Sequence, residues 1–165
     1  MSSFSQKLFL DVELDPGELN LDVRQNIRRK VMREYLHKER AGIMCTKIEI
    51  LEEYRLPLGR ITNNVITVMV PCLATYKYYR IGDVVEGTME INSESDIAVN
   101  CPDLVCHINK DDGTVSFADS KYCFTKDRHV YNAGDTVTVT LKEANSSSGS
   151  SKFSFTGVIN RPGAK

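Results

Sequence analysis

No stretch of about 18 consecutive apolar residues occurs among the 165 residues, so no helix is long and apolar enough to cross a membrane. The N-terminal Met1-Ser2-Ser3-Phe4-Ser5-Gln6-Lys7 has no basic stretch leading into a long apolar core, so no signal peptide is expected. Ser2 stands where myristoylation needs glycine. Net charge is scarce: 21 Lys/Arg against 22 Asp/Glu leave −1. That argues against a surface that coats nucleic acid throughout, though not against a local nucleic-acid site. No phosphate loop or dinucleotide fingerprint is present. The cysteines number only five (Cys45, Cys72, Cys101, Cys106, Cys123), an odd count with irregular spacing. Free thiols in a reducing compartment are the simplest reading.

The composition is that of an ordinary globular protein, 41% hydrophobic and 26% charged, and neither a disordered tail nor a collagen-like fibre. The length allows one large domain or two small ones. Charge distribution favours two. Residues 1–80 hold 13 Lys/Arg and 10 Asp/Glu, a balance of +3, whereas residues 81–165 hold 8 and 12, a balance of −4. Such asymmetry is expected of two modules with different partners.

Leu8, Leu10, Val12 and Leu14 alternate along Lys7–Leu14, the pattern of a half-buried strand, and Asp15-Pro16-Gly17 breaks it. Val23, Ile27, Val31 and Tyr35 recur every four residues, predicting a helix from about Asp22 to Arg40. Asp22 and Gln25 resemble a capping box, and Gly42 suits the left-handed residue that ends a helix. From Ile43 the pattern is that of strands. Met44, Thr46, Ile48 and Ile50 share one face, Pro57–Arg60 and Asn63-Asn64 mark turns, and Val65–Tyr79 reads as one or two strands. The expected fold class is therefore α+β: residues 1–80 form an N-terminal domain with the helix packed on an antiparallel sheet.

After Arg80 no good helix appears. Gly82 to Thr88 is expected to open a strand that runs to Ile91, and further strands are expected at Asp96–Asn100, Leu104–Ile108, Val115–Phe117, Val137–Leu141 and Phe153–Ile159, with a polar loop at Asn145–Ser151. Residues 81–165 thus read as an S1-like, OB-type β-barrel of about five strands. Gly-Asp-x-Val occurs twice, at Gly82 and Gly134, each time at the start of a strand.

A helix-on-sheet domain followed by a barrel that opens with Gly82-Asp83-Val84-Val85-Glu86-Gly87 resembles the stalk-subunit family of multi-subunit RNA polymerases. A closer likeness, nearly end to end, is to the 18 kDa subunit family of poxvirus DNA-directed RNA polymerase. It is carried by Met1–Phe4, Lys47-Ile48-Glu49-Ile50, Leu56-Pro57-Leu58-Gly59, Val70-Pro71-Cys72, Tyr78-Tyr79 and Gly82–Val85. The longest blocks are Gly113-Thr114-Val115-Ser116-Phe117 and Asp119-Ser120-Lys121-Tyr122-Cys123-Phe124.

The resemblance implies a subunit of a viral nucleotidyltransferase complex that has no active site of its own, transcribing DNA in the host cytoplasm and packaged in the virion core. Its partners would be the other polymerase subunits and nascent RNA, with no membrane, small-molecule substrate or cofactor. The first domain would dock on the polymerase core through Pro57, Leu58, Gly59, Arg60 and Ile61. One departure stands out: Tyr78-Tyr79-Arg80-Ile81 occupies the place of the Arg-Pro-Phe stretch usual in cellular stalks. The alternative from another class is a free-standing S1-like RNA-binding protein, such as a translation or masking factor.

Asp111-Asp112 beside Gly113 reads as a turn rather than a two-metal site. Cys101, Cys106 and His107 cluster without the paired spacing of structural zinc sites, and a strand at Leu104–Ile108 would point Cys106 and His107 to opposite faces. Arg24, Arg28, Arg29, Lys30, Arg33, Lys38 and Arg40 make the helix basic, either as a solvated face or as a surface for acidic partners or nucleic acid. In the barrel, RNA needs aromatic stacking beside cations. Tyr122 and Phe124 on one face, with Lys121, Lys126 and Arg128 nearby, are the candidates; the opposing reading is that both rings fill the core.

Overall fold

The computed structural model describes residues 1–51, 60–145 and 149–163. In chain order the strands are β1 (Ser2–Leu14), β2 (Glu39–Arg40), β3 (Ile43–Ile50), β4 (Arg60–Thr62), β5 (Val65–Tyr78), β6 (Val84–Ile91) and β7 (Ile97–Asn100). Then follow β8 (Leu104–Ile108), β9 (Thr114–Ala118), β10 (Lys121–Lys126), β11 (His129–Asn132), β12 (Thr136–Ala144) and β13 (Phe153–Ile159). One α-helix, α1 (Val23–Tyr35), lies between β1 and β2. This overturns the α+β expectation. The fold is predominantly β, and its helix, 13 residues long, follows the 13-residue strand β1.

The chain divides into two compact units: Ser2–Lys38 with Ile43–Tyr78, and Met1, Glu39–Gly42 and Tyr79–Lys165. In the first unit β5 pairs antiparallel with β1 along its whole length, Ser2 opposite Tyr78 and Leu14 opposite Ile66. On its other side β5 meets β3 and β4. Pro71 interrupts neither pairing. Its carbonyl accepts from the Leu51 N–H (3.1 Å), so its missing N–H faces the same side, just past the end of β3, where no described strand needs it. Asn63 and Asn64, both at positive φ, close the two-residue β4–β5 hairpin.

Even-numbered residues of β1 and β5 face the core. Leu10, Val12, Leu14, Val68, Val70, Cys72 and Ala74 join Cys45, Ile48 and the helix residues Ile27 and Val31 in one buried cluster. Full burial of side chains of this size is worth roughly 1.5–3 kcal/mol each. The expected β3 face is corrected by a register shift between Cys45 and Lys47, which puts Cys45 rather than Met44 and Thr46 in this cluster.

The helix stops five residues before its expected end. Leu36 is extended, His37 takes φ 56, and the His37 N–H donates to the Cys45 carbonyl (2.8 Å). Asp22 makes no side-chain cap. Instead the Asp15 N–H donates to Glu18 Oε2 (2.8 Å) one turn upstream, and Glu18 pairs with Lys30 (2.7 Å). Those bonds, Lys30 first, hold the Glu18 carboxyl below its ordinary range.

In the second unit β6, β7, β8, β13 and β12 close a five-stranded barrel, with β13 parallel to β8 and the other pairs antiparallel. The remaining strands, β9, β10 and β11, form a separate three-stranded sheet. Glu39 belongs here as well: its N–H donates to the Ser150 carbonyl, and its carbonyl accepts from the Gly149 N–H.

The repeated Gly-Asp turns terminate opposite ends of the β6–β12 ladder by the same bonds. Gly82 and Gly134 take φ 94 and 92, which only glycine adopts readily. The Gly82 N–H donates to the Leu141 carbonyl, and the Leu141 N–H returns to the Asp83 carbonyl; Gly134, Met89 and Asp135 repeat the exchange. The Asp83 carboxylate accepts from the Arg80 N–H (2.9 Å), and Asp135 accepts from the Asn132 N–H (2.8 Å). Asp135→Ala should therefore cost about 1 kcal/mol by losing one charge-assisted bond. A thermal melt with no fall in midpoint would contradict the closing role.

All five cysteines are free thiols, and Cys45, Cys72, Cys101 and Cys106 are buried. Burial pushes the Cys72 thiol up to about 11 and Cys106 up to about 12, so both stay protonated at neutral pH. One thiol, Cys123, should react with a disulfide reagent in the native protein, and the others only on unfolding. Several fast-reacting thiols would refute the buried placements.

Candidate functional site

Three surfaces carry chemistry. The first is the β9–β10–β11 sheet. Its hairpins turn on Asp119-Ser120 and Asp127-Arg128, all four residues at positive φ. Tyr122 pairs across β10 and β9 with Phe117, their rings 4.8 Å apart, and Phe117 is 61% exposed. Lys121 is exposed at the start of β10. The expectation for Phe124 is corrected: its side chain is fully buried, 6.4 Å from the Tyr131 ring, and offers no face to a base. Lys126 is committed too. Its ammonium pairs with Asp112 (2.8 Å) and donates to the Ile159 carbonyl (2.8 Å). Asp112 thus sits in a 3-10 turn as one half of a structural ion pair. Of the five expected residues, Lys121, Tyr122 and Arg128 remain for contact with a ligand. Phe117 was missed because its exposure follows from the hairpin register, not from its place in a β-rich run.

Behind these strands a shallow cleft of about 620 Å³ is lined by Lys126, Asp127, Arg128, His129, Tyr131, Arg161 and Pro162. Arg161 Nε reaches Asp127 at 3.5 Å. Tyr131 is buried, and burial together with Asp127 and Asp112 raises its phenol. At the start of the unit, the Tyr79 hydroxyl donates to Asp103 Oδ1 (2.8 Å), and its ring meets Phe153 edge-on at 5.4 Å. Burial, then Asp103, pushes the Tyr79 phenol well above its ordinary value. In β8, Cys106 is fully buried while the adjacent His107 is exposed, so the two do not converge.

The second surface is the open face of the first unit's sheet, made by odd-numbered residues opposite the α1 side. Phe9 (61% exposed) lies opposite Pro71, Met69 (52%) opposite Asp11, and Leu73 (38%) opposite Lys7. Lys7 Nζ sits 5.8 Å from the centre of the Phe9 ring. An apolar group rimmed by charge is the makeup of a protein-docking patch. Among the expected docking residues, Pro57, Leu58 and Gly59 lie outside the described residues. Arg60 pairs with Thr67 in β4, and Ile61 is 73% exposed.

The third surface is α1. Ile27 and Val31 are buried, and Lys30 is tied to Glu18 and to the Glu13 carbonyl (2.6 Å). Arg24, Arg28, Arg29 and Arg33 are exposed. Arg24/Arg28 and Arg29/Arg33 are like-charge pairs four residues apart, each costing the helix about 0.2–0.5 kcal/mol.

A family model described as poxvirus DNA-directed RNA polymerase, 18 kD subunit, matches residues 2–161. The DNA-directed RNA polymerase 18 kDa subunit of Vaccinia virus (strain Copenhagen) is 50% identical over 144 residues, covering 87% of this chain and 89% of that protein. The fowlpox virus (strain NVSL) 18 kDa subunit is 50% identical over 159 residues, covering 96% and 98%. The variola virus counterpart is 49% identical over 144 residues.

Proposed function

The chain belongs to the family of poxvirus DNA-directed RNA polymerase 18 kDa subunits, and on that premise we propose that it is a non-catalytic, stalk-type subunit docked through the open sheet face of its first unit. Its partners are the other polymerase subunits. The observation that supports the docking reading is the exposed group Phe9, Met69 and Leu73 with the half-buried Pro71 among them, a surface whose contact with water a neighbouring subunit would end. The chain works in the host cytoplasm and the virion core and needs no cofactor of its own. Fractionation of infected-cell extract tests membership: the chain should elute with the large polymerase subunits, and elution alone at its own mass would count against a resident subunit.

The second unit contacts nascent RNA by stacking bases on Phe117 and Tyr122, with Lys121 beside them for phosphate. Base–aromatic stacking is worth about 1–3 kcal/mol per base. Phe117→Ala with Tyr122→Ala should cut photocrosslinking of nascent transcript to this chain several-fold. Unchanged crosslinking to the folded double variant would remove the stacking role.

A further inference from the structure

We propose that the arginine face of α1 binds the phosphodiester backbone of single-stranded RNA. The inference rests on the polymerase-subunit reading, which supplies a single strand of arbitrary sequence as the enzyme's product, but the surface itself comes from the helix.

Two rows make that surface, Arg24–Arg28 and Arg29–Arg33. Within each row the residues are about 6 Å apart along the axis, from a rise of about 1.5 Å per residue. All four are exposed, and among the described residues none forms an ion pair within 4 Å. Arg33 lies within electrostatic reach of Glu18, whose own close partner is Lys30. A merely solvated helix face mixes signs so that neighbouring turns attract. Here Glu34 is the one acidic residue within the helix, and the rows repel themselves. The residue type is also informative. The one lysine of the helix is tied down structurally, while every exposed cation is an arginine. The guanidinium's planar fork matches phosphate oxygens two at a time, and its charge never titrates.

The face carries cations but almost no base readers. Gln25 is its single exposed amide, because Asn26 donates to the Glu18 carbonyl. Phosphate contact without base contact gives affinity without sequence preference, as a transcript of any sequence requires. An acidic protein partner would need apolar anchors among the charges. The arginine rows contain none; Leu19 and Leu21 are exposed only ahead of the helix. Within the first unit α1 covers the face of the sheet opposite Phe9, Met69 and Leu73. A polymerase subunit seated on the open face therefore leaves the arginines uncovered. The +3 balance of residues 1–80 has its densest concentration here, whereas residues 81–165 carry −4.

The test uses the full-length chain, a fluorescent 20-nucleotide oligouridylate and salt from 50 to 300 mM. Replacing Arg24, Arg28, Arg29 and Arg33 together by Ala should weaken binding at least about tenfold at 0.1 M salt. It should also reduce the log–log salt slope by roughly 3, since each phosphate contact on a single strand contributes about 0.7. Alanine favours helix and relieves the like-charge pairs, so the melting temperature should hold or rise. Two further measurements keep the assignment falsifiable. Co-purification of the four-alanine variant with polymerase should be unchanged, and Leu21→Ser should leave RNA binding unchanged. An unaltered salt slope would overturn the proposal. So would tighter binding to duplex DNA of equal length, and loss of the four-alanine variant from polymerase would assign the face to an acidic protein surface instead. Failure of the docking reading looks different: the unaltered chain would then elute apart from polymerase while still binding oligouridylate through these arginines.

Discussion

Phe9→Asp combined with Met69→Asp should remove the chain from the assembled polymerase and leave it folded. Both side chains point away from the buried cluster, at 61% and 52% exposure, on adjacent strands of one sheet. Neither substitution opens a cavity, and surface changes of this kind usually alter stability by less than about 1 kcal/mol, including the lower strand preference of Asp. At an interface the balance reverses. Truncating a well-packed apolar anchor costs roughly 2–4 kcal/mol, and an unpaired carboxylate trapped there adds its desolvation. Two such changes should lower affinity by a factor of about a thousand or more, enough to leave the variant free at cellular concentrations. Affinity purification of a large polymerase subunit measures this directly, with circular dichroism of the variant to show that it is folded. Point substitutions suit the question better than deletion of residues 1–80. That deletion also removes Glu39, whose backbone bonds to Gly149 and Ser150 belong to the second unit.

Gly157→Val should do the reverse, destabilising the second unit while sparing the docking face. Gly157 lies on β13 opposite Leu141 of β12 and Ile108 of β8, where the small barrel closes. A Cβ there would come within 2.5 Å of the Thr140 carbonyl oxygen and 2.7 Å of the Cys106 sulfur. The carbonyl faces β13 in the β12–β13 ladder, where Thr140 lies opposite Val158, and cannot yield without breaking pairing. Overpacking of this sort costs about 1–3 kcal/mol, and valine's branches put the expected loss at the upper end. A drop of roughly 5–10 °C in melting temperature follows for a protein of this size. Cys106→Ala added to Gly157→Ala should recover part of the loss, because it frees the sulfur side of the contact but not the carbonyl side. A double variant no more stable than Gly157→Ala would show that the sulfur contact does not matter.

Local patterns carried much of this architecture. The alternation of Leu8 to Leu14 gave β1 its buried face, and the paired Gly-Asp turns marked the starts of β6 and β12. What stayed hidden depends on distant partners. The helix ends because the His37 N–H meets Cys45, a contact that no local capping signal encodes. Gly42 serves a turn together with Ala41 rather than the helix end. The shift between Cys45 and Lys47 puts Cys45, rather than Met44 and Thr46, on the side of Ile48 and Ile50, and a bulge leaves no trace in the alternation that precedes it. A single amphipathic helix beside an antiparallel sheet reads as α+β, although the strands dominate the chain. At the candidate RNA surface, spacing placed Tyr122 and Phe124 on one face of β10, but not that the sheet would bury one and leave the other half-open beside Phe117. Lys126 looked available because its partner Asp112 lies 14 residues back, in a turn of different apparent purpose.

The docking of the first unit is tested most directly by site-specific photocrosslinking inside the intact polymerase. A photoreactive amino acid at Phe9, Met69 or Leu73 should give crosslinks to another polymerase subunit, and the same probe at Arg28 or Arg29 should give none to protein. Strong protein crosslinks from the arginine positions, with none from the sheet face, would contradict the proposed docking surface.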